Sequence, residues 1–168
     1  MPDCRALFLD RDGTINVDKH YVYRPEDFEW VPGIVELCRA AQSAGYRIII
    51  ITNQSGIERG YYSEQDYNAF MQFLSEQFAA RGIHITGALH CPLLHDDVNR
   101  KPAPGLFLQA AAKWGIDMAA SLSLGDKERD VRAGISAGVG RNYLLSSTAT
   151  DSAATAVVAT PQDLIAFL

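Results

Sequence analysis

The sequence lacks the signals that mark several large classes of protein. It contains 3 cysteines among 168 residues, too few and too widely spaced for a disulfide scaffold. It has no internal repeat, no low-complexity tract and no linker long enough to separate two domains. No apolar run approaches the ~18 residues of a membrane span. Asp3 and Arg5 lie close to the start of the chain, and we therefore expect no secretory signal.

Basic residues are also scarce. The chain has 15 lysines and arginines against 20 aspartates and glutamates, a formal net charge of −5. Because nucleic-acid binding needs a surface that neutralises phosphates, we expect no nucleic-acid partner, and we expect no membrane partner. An anionic substrate must then be bound by a local basic cluster. The odd number of dispersed cysteines, Cys4, Cys38 and Cys91, indicates reduced thiols and a cytoplasmic location.

The remaining composition is typical of one folded unit. Hydrophobic residues make up 48% of the chain and charged residues 21%. At ~100–200 residues per domain the chain corresponds to one domain, which buries roughly 70% of its unfolded surface. We therefore expect residues 1–168 to form a single domain, and we expect a monomer.

Strand and helix patterns alternate along the chain. Short apolar or β-branched runs predict strands at residues 5–9, 47–52, 85–91, 121–124 and 141–145. Helical spacing and capping signals predict helices at residues 32–44, 63–82, 105–114, 131–137 and 160–168. Residues 12–33 are expected to form a loop or small hairpin. This alternation predicts an α/β fold with a doubly wound, mainly parallel sheet of five strands or slightly more.

Polar clusters follow four of the predicted strands. Ligands of such sheets bind beyond the carboxyl ends of the strands, so these clusters are candidates for a shared site. They are Asp10-Arg11-Asp12-Gly13-Thr14, Thr52-Asn53-Gln54-Ser55-Gly56, Arg100-Lys101-Pro102 and Gly125-Asp126-Lys127-Glu128-Arg129-Asp130. Each cluster alone is compatible with a turn or a helix cap. Their order, each after its own strand, favours a common function.

The residue types in these clusters suit phosphoryl transfer. Asp10 and Asp12 point to the same side of extended backbone, and with Asp126 they would repel one another unless a cation lay between them. Hard oxygen ligands of this kind select Mg²⁺. Thr52 and Lys101 supply donors for phosphoryl oxygens. One carboxylate can attack phosphorus and form an aspartyl phosphate, which leaves the second free for proton transfer.

The ordered strings LDRDGTIN, ITNQSGI, RKPAPG and LGDKERD resemble those of the haloacid dehalogenase superfamily of phosphohydrolases, from Leu9 to about Val139. DRDGTIN, TNQSGI followed by Arg59-Gly60, and RKPAPG are similar to the strings of the D-glycero-D-manno-heptose 1,7-bisphosphate phosphatases. Histidinol-phosphate phosphatases share most of them, and polynucleotide 3′-phosphatases are more distant. The chain has no large cap insertion, so the resemblance implies a capless Rossmann-like fold.

The resemblance implies a role for each matching residue. Asp10 would be the nucleophile and a metal ligand, and Asp12 the general acid/base, with its carbonyl also on the metal. Asp126 would be the third ligand to Mg²⁺, with Asp130 behind it. Thr52 and Lys101 would stabilise the phosphoryl group. The substrate contacts would be Asp18, Tyr21, Asn53, Gln54, Ser55, Arg100 and Lys127.

One departure from the resembling family concerns zinc. Many relatives carry a Cys-x-His pair after the third strand and a Cys-x-Cys pair just before Arg-Lys-Pro. Here Cys91 keeps the first position, but Leu93 stands at the matching histidine position and no second cysteine pair exists. With His90 and His95, Cys91 provides at most three of the four ligands that a closed zinc site needs. A structural zinc is therefore not expected.

The implied function is Mg²⁺-dependent hydrolysis of a phosphorylated sugar. The substrate implied by the strings is a heptose 1,7-bisphosphate, which would lose its C7 phosphate during synthesis of nucleotide-activated heptose for surface polysaccharide such as lipopolysaccharide. Two alternatives stay open, a histidinol-phosphate phosphatase and a catalytically silent phosphosugar-binding protein. The intact set of carboxylates and Lys101 argues against the silent alternative, and the acidic balance disfavours a nucleic-acid 3′-phosphatase.

Overall fold

A single parallel sheet organises the protein, which a computed structural model describes for residues 4–168. The six strands lie in the order β3-β2-β1-β4-β5-β6, and every neighbouring pair is parallel. They are β1 (Ala6–Leu9), β2 (Arg47–Asn53), β3 (Ile85–Cys91), β4 (Leu122–Gly125), β5 (Arg141–Leu145) and β6 (Ala156–Val158). The predicted doubly wound α/β fold is confirmed.

Four α-helices connect these strands. They are α1 (Ile34–Ser43), α2 (Glu64–Ala79), α3 (Gly105–Trp114) and α4 (Glu128–Ala137). Two 3₁₀ segments, Pro25–Asp27 and Pro161–Phe167, lie before α1 and at the C-terminal end. The final segment begins after Thr160, as predicted, but its hydrogen bonds are of the 3₁₀ type rather than α-helical.

Strands β1, β2, β4 and β5 are largely buried because helices cover both faces of the sheet. In β1, Leu7 and Leu9 pack with α1 and α2, whereas Ala6 and Phe8 pack on the opposite face with α3 and α4. The four consecutive isoleucines of β2 alternate in the same way. This burial explains why the strands are continuous apolar runs rather than alternating apolar and polar ones.

The register brings the predicted polar clusters together. Leu9, the last residue of β1, lies beside Ile50 of β2 and Leu124 of β4. The Asp10 amide continues this alignment by donating to the Leu124 carbonyl at 3.1 Å. The segments that follow β1, β2 and β4 therefore leave the sheet at one edge, where they build the site.

Two local features differ from the pattern-based expectation. β6 (Ala156–Val158) is not predicted, because three residues after a serine- and threonine-rich stretch give no periodic signal. The predicted loop or hairpin at residues 12–33 forms no extended hairpin. It is held by isolated bridges that Asn16 makes to Asp12 and Trp30.

The start of α2 is fixed by a capping box, as its sequence predicts. Ser63 Oγ accepts from the Asp66 amide at 3.0 Å, and the Asp66 carboxylate accepts from the Ser63 amide at 2.9 Å. Replacing Ser63 with alanine should lower the free energy of unfolding by about 1 kcal/mol, because the Asp66 amide loses its acceptor. Chemical denaturation measures the change. Ser75→Ala, an exposed position within α2, is the control and should be neutral or slightly stabilising. Equal effects of the two substitutions would contradict the capping role.

Candidate active site

Three carboxylates meet where β1 and β4 end. Single oxygens of Asp10, Asp126 and Asp130 all lie within 4.8 Å of one another. Asp10 follows β1, Asp126 follows β4, and Asp130 lies in the first turn of α4. Burial, followed by the charge of Asp130, raises the pKa of Asp10 well above its usual value. Burial likewise raises the pKa of Asp126.

This donor set fits a hard divalent cation. Asp126 Oδ1 is buried and has no hydrogen-bond partner among the described residues, and carboxylate oxygens are the ligands that Mg²⁺ prefers. A cation here would compensate the negative charge that burial leaves unfavourable. The structure thus brings together Asp10 and Asp126, two of the predicted ligands, with Asp130 beside them.

Lys101 joins this cluster from the other side of β1. Its Nζ lies 2.8 Å from Asp10 Oδ1 and 2.7 Å from Asp130 Oδ1, and it donates to the Ile51 carbonyl at 2.6 Å. Burial alone would lower the pKa of Lys101. The two carboxylates outweigh that effect, so its pKa is raised and the ammonium stays charged.

Asn53 fixes the backbone that carries Lys101. Its side-chain amide donates to the Lys101 carbonyl at 3.1 Å, and its Oδ1 accepts from the Lys101 amide at 3.0 Å. This reciprocal pair ties the end of β2 to the loop before α3. Asn53 was predicted as a substrate contact. In the structure Asn53 lines the pocket, but both polar groups of its side chain are hydrogen-bonded to the Lys101 backbone.

The Asp12 carboxylate is held by neighbours on both of its oxygens. Oδ1 accepts from Arg11 Nη2 at 3.0 Å and from Asn16 Nδ2 at 3.1 Å, and Oδ2 accepts from Gln54 Nε2 at 2.9 Å. The Gln54 amide also donates to Thr52 Oγ1 at 2.8 Å. Thr52 is itself buried at the end of β2. Arg11 is a residue that pattern reasoning missed, because its guanidinium is fully buried and no local sequence signal indicates that burial.

A pocket of about 260 Å³ opens over these groups. Nine of the predicted site residues line it: Asp10, Asp12, Asp18, Tyr21, Asn53, Gln54, Ser55, Arg100 and Lys127. Four further residues line it that the site prediction did not include: His20, Arg59, Tyr62 and Arg129. The signal for Arg59 was its place in the quoted Arg59-Gly60 string, and the signal for Arg129 was its place in the cluster after β4.

The mouth of the pocket is basic although the chain is acidic. Arg59, Arg100, Lys127 and Arg129 come from three different segments and all reach the lining. Their convergence is the local basic cluster that an anionic substrate requires in a protein of net charge −5.

One wall of the pocket has an unusual backbone. His20 and Tyr21 are consecutive non-glycine residues with φ of 60° and 59°. Such conformations are uncommon outside glycine and cluster at functional sites. The Asp18 carboxylate accepts from the His20 amide at 3.0 Å and so supports this turn. The Tyr21 ring packs edge-on against Tyr61, with centroids 4.8 Å apart.

The candidate zinc residues point to other partners. Cys91 Sγ lies 3.9 Å from both the Leu93 carbonyl and an Asp96 carboxylate oxygen. His90 Nε2 lies 2.8 Å from Glu64, and its ring packs on Tyr67. Within residues 4–168, three side chains that could share a metal ion come together at Asp10, Asp126 and Asp130, and this group contains no cysteine or histidine. That a structural zinc is not needed stays a prediction.

No helix in the described part of the chain combines the length and apolar character that crossing a membrane would require.

Comparison with known proteins agrees with this site. Residues 19–138 match the family described as haloacid dehalogenase-like hydrolase. The chain is 44% identical to a D-glycero-alpha-D-manno-heptose-1,7-bisphosphate 7-phosphatase of Burkholderia mallei, over 98% of this chain and 93% of that protein. It is 47% identical to a D-glycero-beta-D-manno-heptose-1,7-bisphosphate 7-phosphatase of Helicobacter pylori, over 84% of this chain and 83% of that protein.

Solved structures give the same grouping. The D,D-heptose 1,7-bisphosphate phosphatase from B. bronchiseptica, solved in complex with magnesium and phosphate, superposes with a TM-score of 0.87 at 26% identity, and the match covers 97% of each chain. The corresponding protein of Burkholderia thailandensis superposes with a TM-score of 0.71 at 27% identity, again over 97% of each chain.

Gly13 brings its backbone against the carboxylate cluster. Its φ is +86°, and a Cβ at this position would lie 2.3 Å from Asp126 Oδ2. Gly13→Ala should therefore destabilise the protein by about 1 kcal/mol or more and displace Asp126. It should also weaken or abolish the rise in Tm that Mg²⁺ produces by binding the native state.

Gly45→Ala is the matched control for this prediction. Gly45 has a similar φ of +88°, but no atom lies within 4 Å of the Cβ position. It should share the backbone cost and keep the full Mg²⁺-dependent rise in Tm. Thermal unfolding with and without Mg²⁺ measures both variants. An undiminished Mg²⁺ effect in Gly13→Ala would contradict the placement of the cation beside Asp126.

Proposed function

The chain belongs to the haloacid dehalogenase-like hydrolases, and from that premise we propose that it removes the C7 phosphate from a D-glycero-D-manno-heptose 1,7-bisphosphate. The relatives at 44% and 47% identity are named for this reaction. The observation that carries the proposal is the 2.8 Å contact of Lys101 Nζ with Asp10 Oδ1, because Asp10 also lines a pocket that four basic side chains reach.

Asp10 is the nucleophile of the proposed reaction. One of its carboxylate oxygens forms a bond to phosphorus while the bond between phosphorus and the sugar C7 oxygen breaks, which gives a phosphoaspartate. Asp12 donates the proton that the leaving sugar oxygen takes. Water then attacks phosphorus, Asp12 accepts its proton, and inorganic phosphate leaves as the Asp10 carboxylate is restored.

Lys101 and Thr52 stabilise the phosphoryl group during transfer. Lys101 is buried, charged and already in contact with the nucleophile, so its charge needs no rearrangement when negative charge develops. Asp10 and Asp126, with the Asp12 carbonyl, would hold Mg²⁺, which supplies electrophilic stabilisation of the phosphoryl oxygens when bound. Asp130 pairs with Lys101 and stands behind these ligands.

The sugar and its second phosphate are bound at the pocket mouth. Asp18 and Tyr21 on the strained turn, with Ser55, are placed to contact hydroxyl groups. Arg100 and Lys127 are placed to bind the distal anion, and Arg59 and Arg129 add charge beside them. Asn53 and Gln54 contribute chiefly by holding Lys101 and Asp12. A mouth with four cations suits a bisphosphate better than a substrate with one phosphate.

The biological setting follows from this reaction. We place the product in the synthesis of nucleotide-activated heptose for surface polysaccharide such as lipopolysaccharide. The three free thiols support a cytoplasmic location. A monomer is sufficient, because one chain supplies every residue of the proposed site.

Loss of the nucleophile should abolish turnover. Asp10→Asn should lose nearly all phosphate release, because an amide cannot form the phosphoaspartate. Removing Mg²⁺ with EDTA should stop the wild-type reaction, while a thermal unfolding curve should show that the protein is still folded.

A substrate panel tests which phosphate ester is hydrolysed. It should contain both anomers of the heptose bisphosphate, histidinol phosphate and a 3′-phosphorylated oligonucleotide. Full turnover by Asp10→Asn would overturn the mechanism, and preference for histidinol phosphate would overturn the substrate.

Arg100 provides a test of the second-phosphate site. Its Nη1 donates to the Leu93 carbonyl at 3.1 Å, which leaves further donors of the guanidinium for an anion. Arg100→Ala should lower kcat/KM for the bisphosphate by about 10- to 150-fold, the value of a charge-assisted contact worth about 1.5–3 kcal/mol. Small monophosphates should be much less affected.

Lys113→Ala is the control, because it removes one exposed positive charge at the opposite end of α3. It should leave both substrates unchanged. Steady-state kinetics of both variants on both substrates measures the effect. An equal loss on bisphosphate and monophosphate in Arg100→Ala would show that the residue only orients its loop, and would favour histidinol phosphate as the substrate.

A further inference from the structure

We propose that Arg11 and Gln54 are positioning residues that clamp the Asp12 carboxylate from opposite sides, and that Tyr62 sets the orientation of Gln54. The proposal rests on the acid/base role proposed for Asp12. It assigns a function to two residues, Arg11 and Tyr62, that the reaction as described so far does not use.

The first side of the clamp is a guanidinium with no access to solvent. Arg11 is 0% exposed, and its Nε and Nη2 donate to Asp12 Oδ1 at 3.3 and 3.0 Å. Nη2 also donates to the Val22 carbonyl at 2.5 Å, and the guanidinium lies 4.8 Å from the centroid of the Phe70 ring. The backbone carbonyl and the ring fix its position independently of Asp12.

Because Arg11 is buried, its positive charge needs a neighbouring carboxylate, and Asp12 provides it. A buried cation is costly unless a carboxylate compensates it, and the anion that the structure pairs with Arg11 is Asp12. The Asp12 side chain remains 23% exposed toward the pocket. In this ion pair Arg11 is therefore buried in the interior, whereas Asp12 is partly exposed to the pocket.

The second side of the clamp is a primary amide with a defined orientation. Gln54 Nε2 donates to Asp12 Oδ2 at 2.9 Å, and the Tyr62 hydroxyl donates to Gln54 Oε1. Burial raises the pKa of Tyr62 to about 12, so the hydroxyl keeps its proton at neutral pH. Because Oε1 receives this hydrogen bond, the NH₂ group must face Asp12.

Tyr62 is itself held in place by packing. Its ring stacks on Tyr23 with centroids 5.0 Å apart and an angle of 14° between the planes. Gly56 lies directly against it, since a Cβ there would be 2.3 Å from Tyr62 Cε1. The orientation of Gln54 is therefore set by a rigid aromatic group and not by solvent.

The two sides together restrict how the carboxylate can move. Rotation of the Asp12 side chain would break hydrogen bonds on both oxygens, including the one from Asn16 to Oδ1. A general acid must lie within hydrogen-bond reach of the leaving oxygen, and a misplacement of about 1 Å can cost about 100-fold in rate. The clamp supplies that placement before substrate binds.

The effect should depend on the leaving group. A sugar alkoxide leaves only with a proton from Asp12, whereas p-nitrophenolate is stable as an anion and leaves without one. The test is kcat/KM for the heptose bisphosphate and for p-nitrophenyl phosphate, since kcat/KM reports the first half of the reaction. Asp12→Asn should lose activity on the sugar phosphate far more than on the aryl phosphate.

Arg11→Met removes the charge and keeps an unbranched apolar side chain beside Phe70 and Met71. It should lower kcat/KM for the sugar phosphate by about 100-fold and for the aryl phosphate by less than about 5-fold. Tyr62→Phe removes one hydrogen bond and should lower only the sugar phosphate value, by about 2- to 10-fold. Tyr23→Phe, on the other ring of the same stack, is the matched control and should change neither value.

The outcomes separate the clamp from the proposed function. If Asp12→Asn loses both activities equally, the acid role of Asp12 is wrong. If Asp12→Asn is selective but Arg11→Met and Tyr62→Phe lose both activities equally or neither, the clamp is overturned and the proposed function stands. If Arg11→Met does not fold, the comparison of Tyr62→Phe with Tyr23→Phe decides alone, because it reaches Asp12 through the other oxygen.

Discussion

The buried ammonium of Lys101 is the charge around which the site is built. It lies between Asp10 and Asp130 and also donates to the Ile51 carbonyl, so it connects the ends of β1 and β2 with the start of α4. Without it, the buried carboxylates would repel one another in an environment that already disfavours their charge. Asn53, the last residue of β2, hydrogen-bonds the Lys101 backbone in both directions, so the sheet restrains the loop that carries the ammonium.

The remaining negative charge creates the need for a cation. The Lys101 ammonium contacts Asp10 and Asp130, and Lys127 Nζ lies 3.4 Å from Asp126 Oδ2. The pKa values of Asp10 and Asp126 stay raised despite these cations. A divalent cation held by these carboxylates would compensate their charge and would also attract phosphoryl oxygens, so the same cluster would serve both the metal and the phosphate. The basic mouth extends this attraction outward in a chain whose overall charge is negative.

The fold, and the meeting of Asp10, Asp126 and Lys101, could be predicted from the sequence because both depend on short-range patterns. Strands β3 and β5, and helix α3, have the predicted bounds, since continuous apolar runs and flanking breakers define them. The strand-end rule then brings Asp10, Asp126 and Lys101 together without any knowledge of side-chain packing. The three-residue strand β6 escaped because so short a segment is defined by its partner, β5, and not by its own periodicity.

Side-chain partners were harder to predict because they depend on three-dimensional packing. Gln54 and Asn53 were assigned to the substrate by position, but their amides are directed to Asp12 and to the Lys101 backbone. Arginine is a residue type that is usually exposed to solvent. Only the contacts of the Arg11 guanidinium with the Val22 carbonyl and the Phe70 ring show that it is buried. Arg59 reaches the pocket from a turn whose direction no local pattern specifies.

Asp130 links the integrity of a helix to the integrity of the site. One of its oxygens lies 2.7 Å from Lys101 Nζ, and the other accepts from the Lys127 amide at the start of α4 at 3.0 Å. Fraying of the first turn of α4 would withdraw the carboxylate from Lys101, and loss of the ion pair would remove one of the two contacts that fix the Asp130 side chain. Opening of this turn and loss of the Lys101 contact are therefore coupled, and the candidate site keeps its arrangement of charges only while the first turn of α4 is folded.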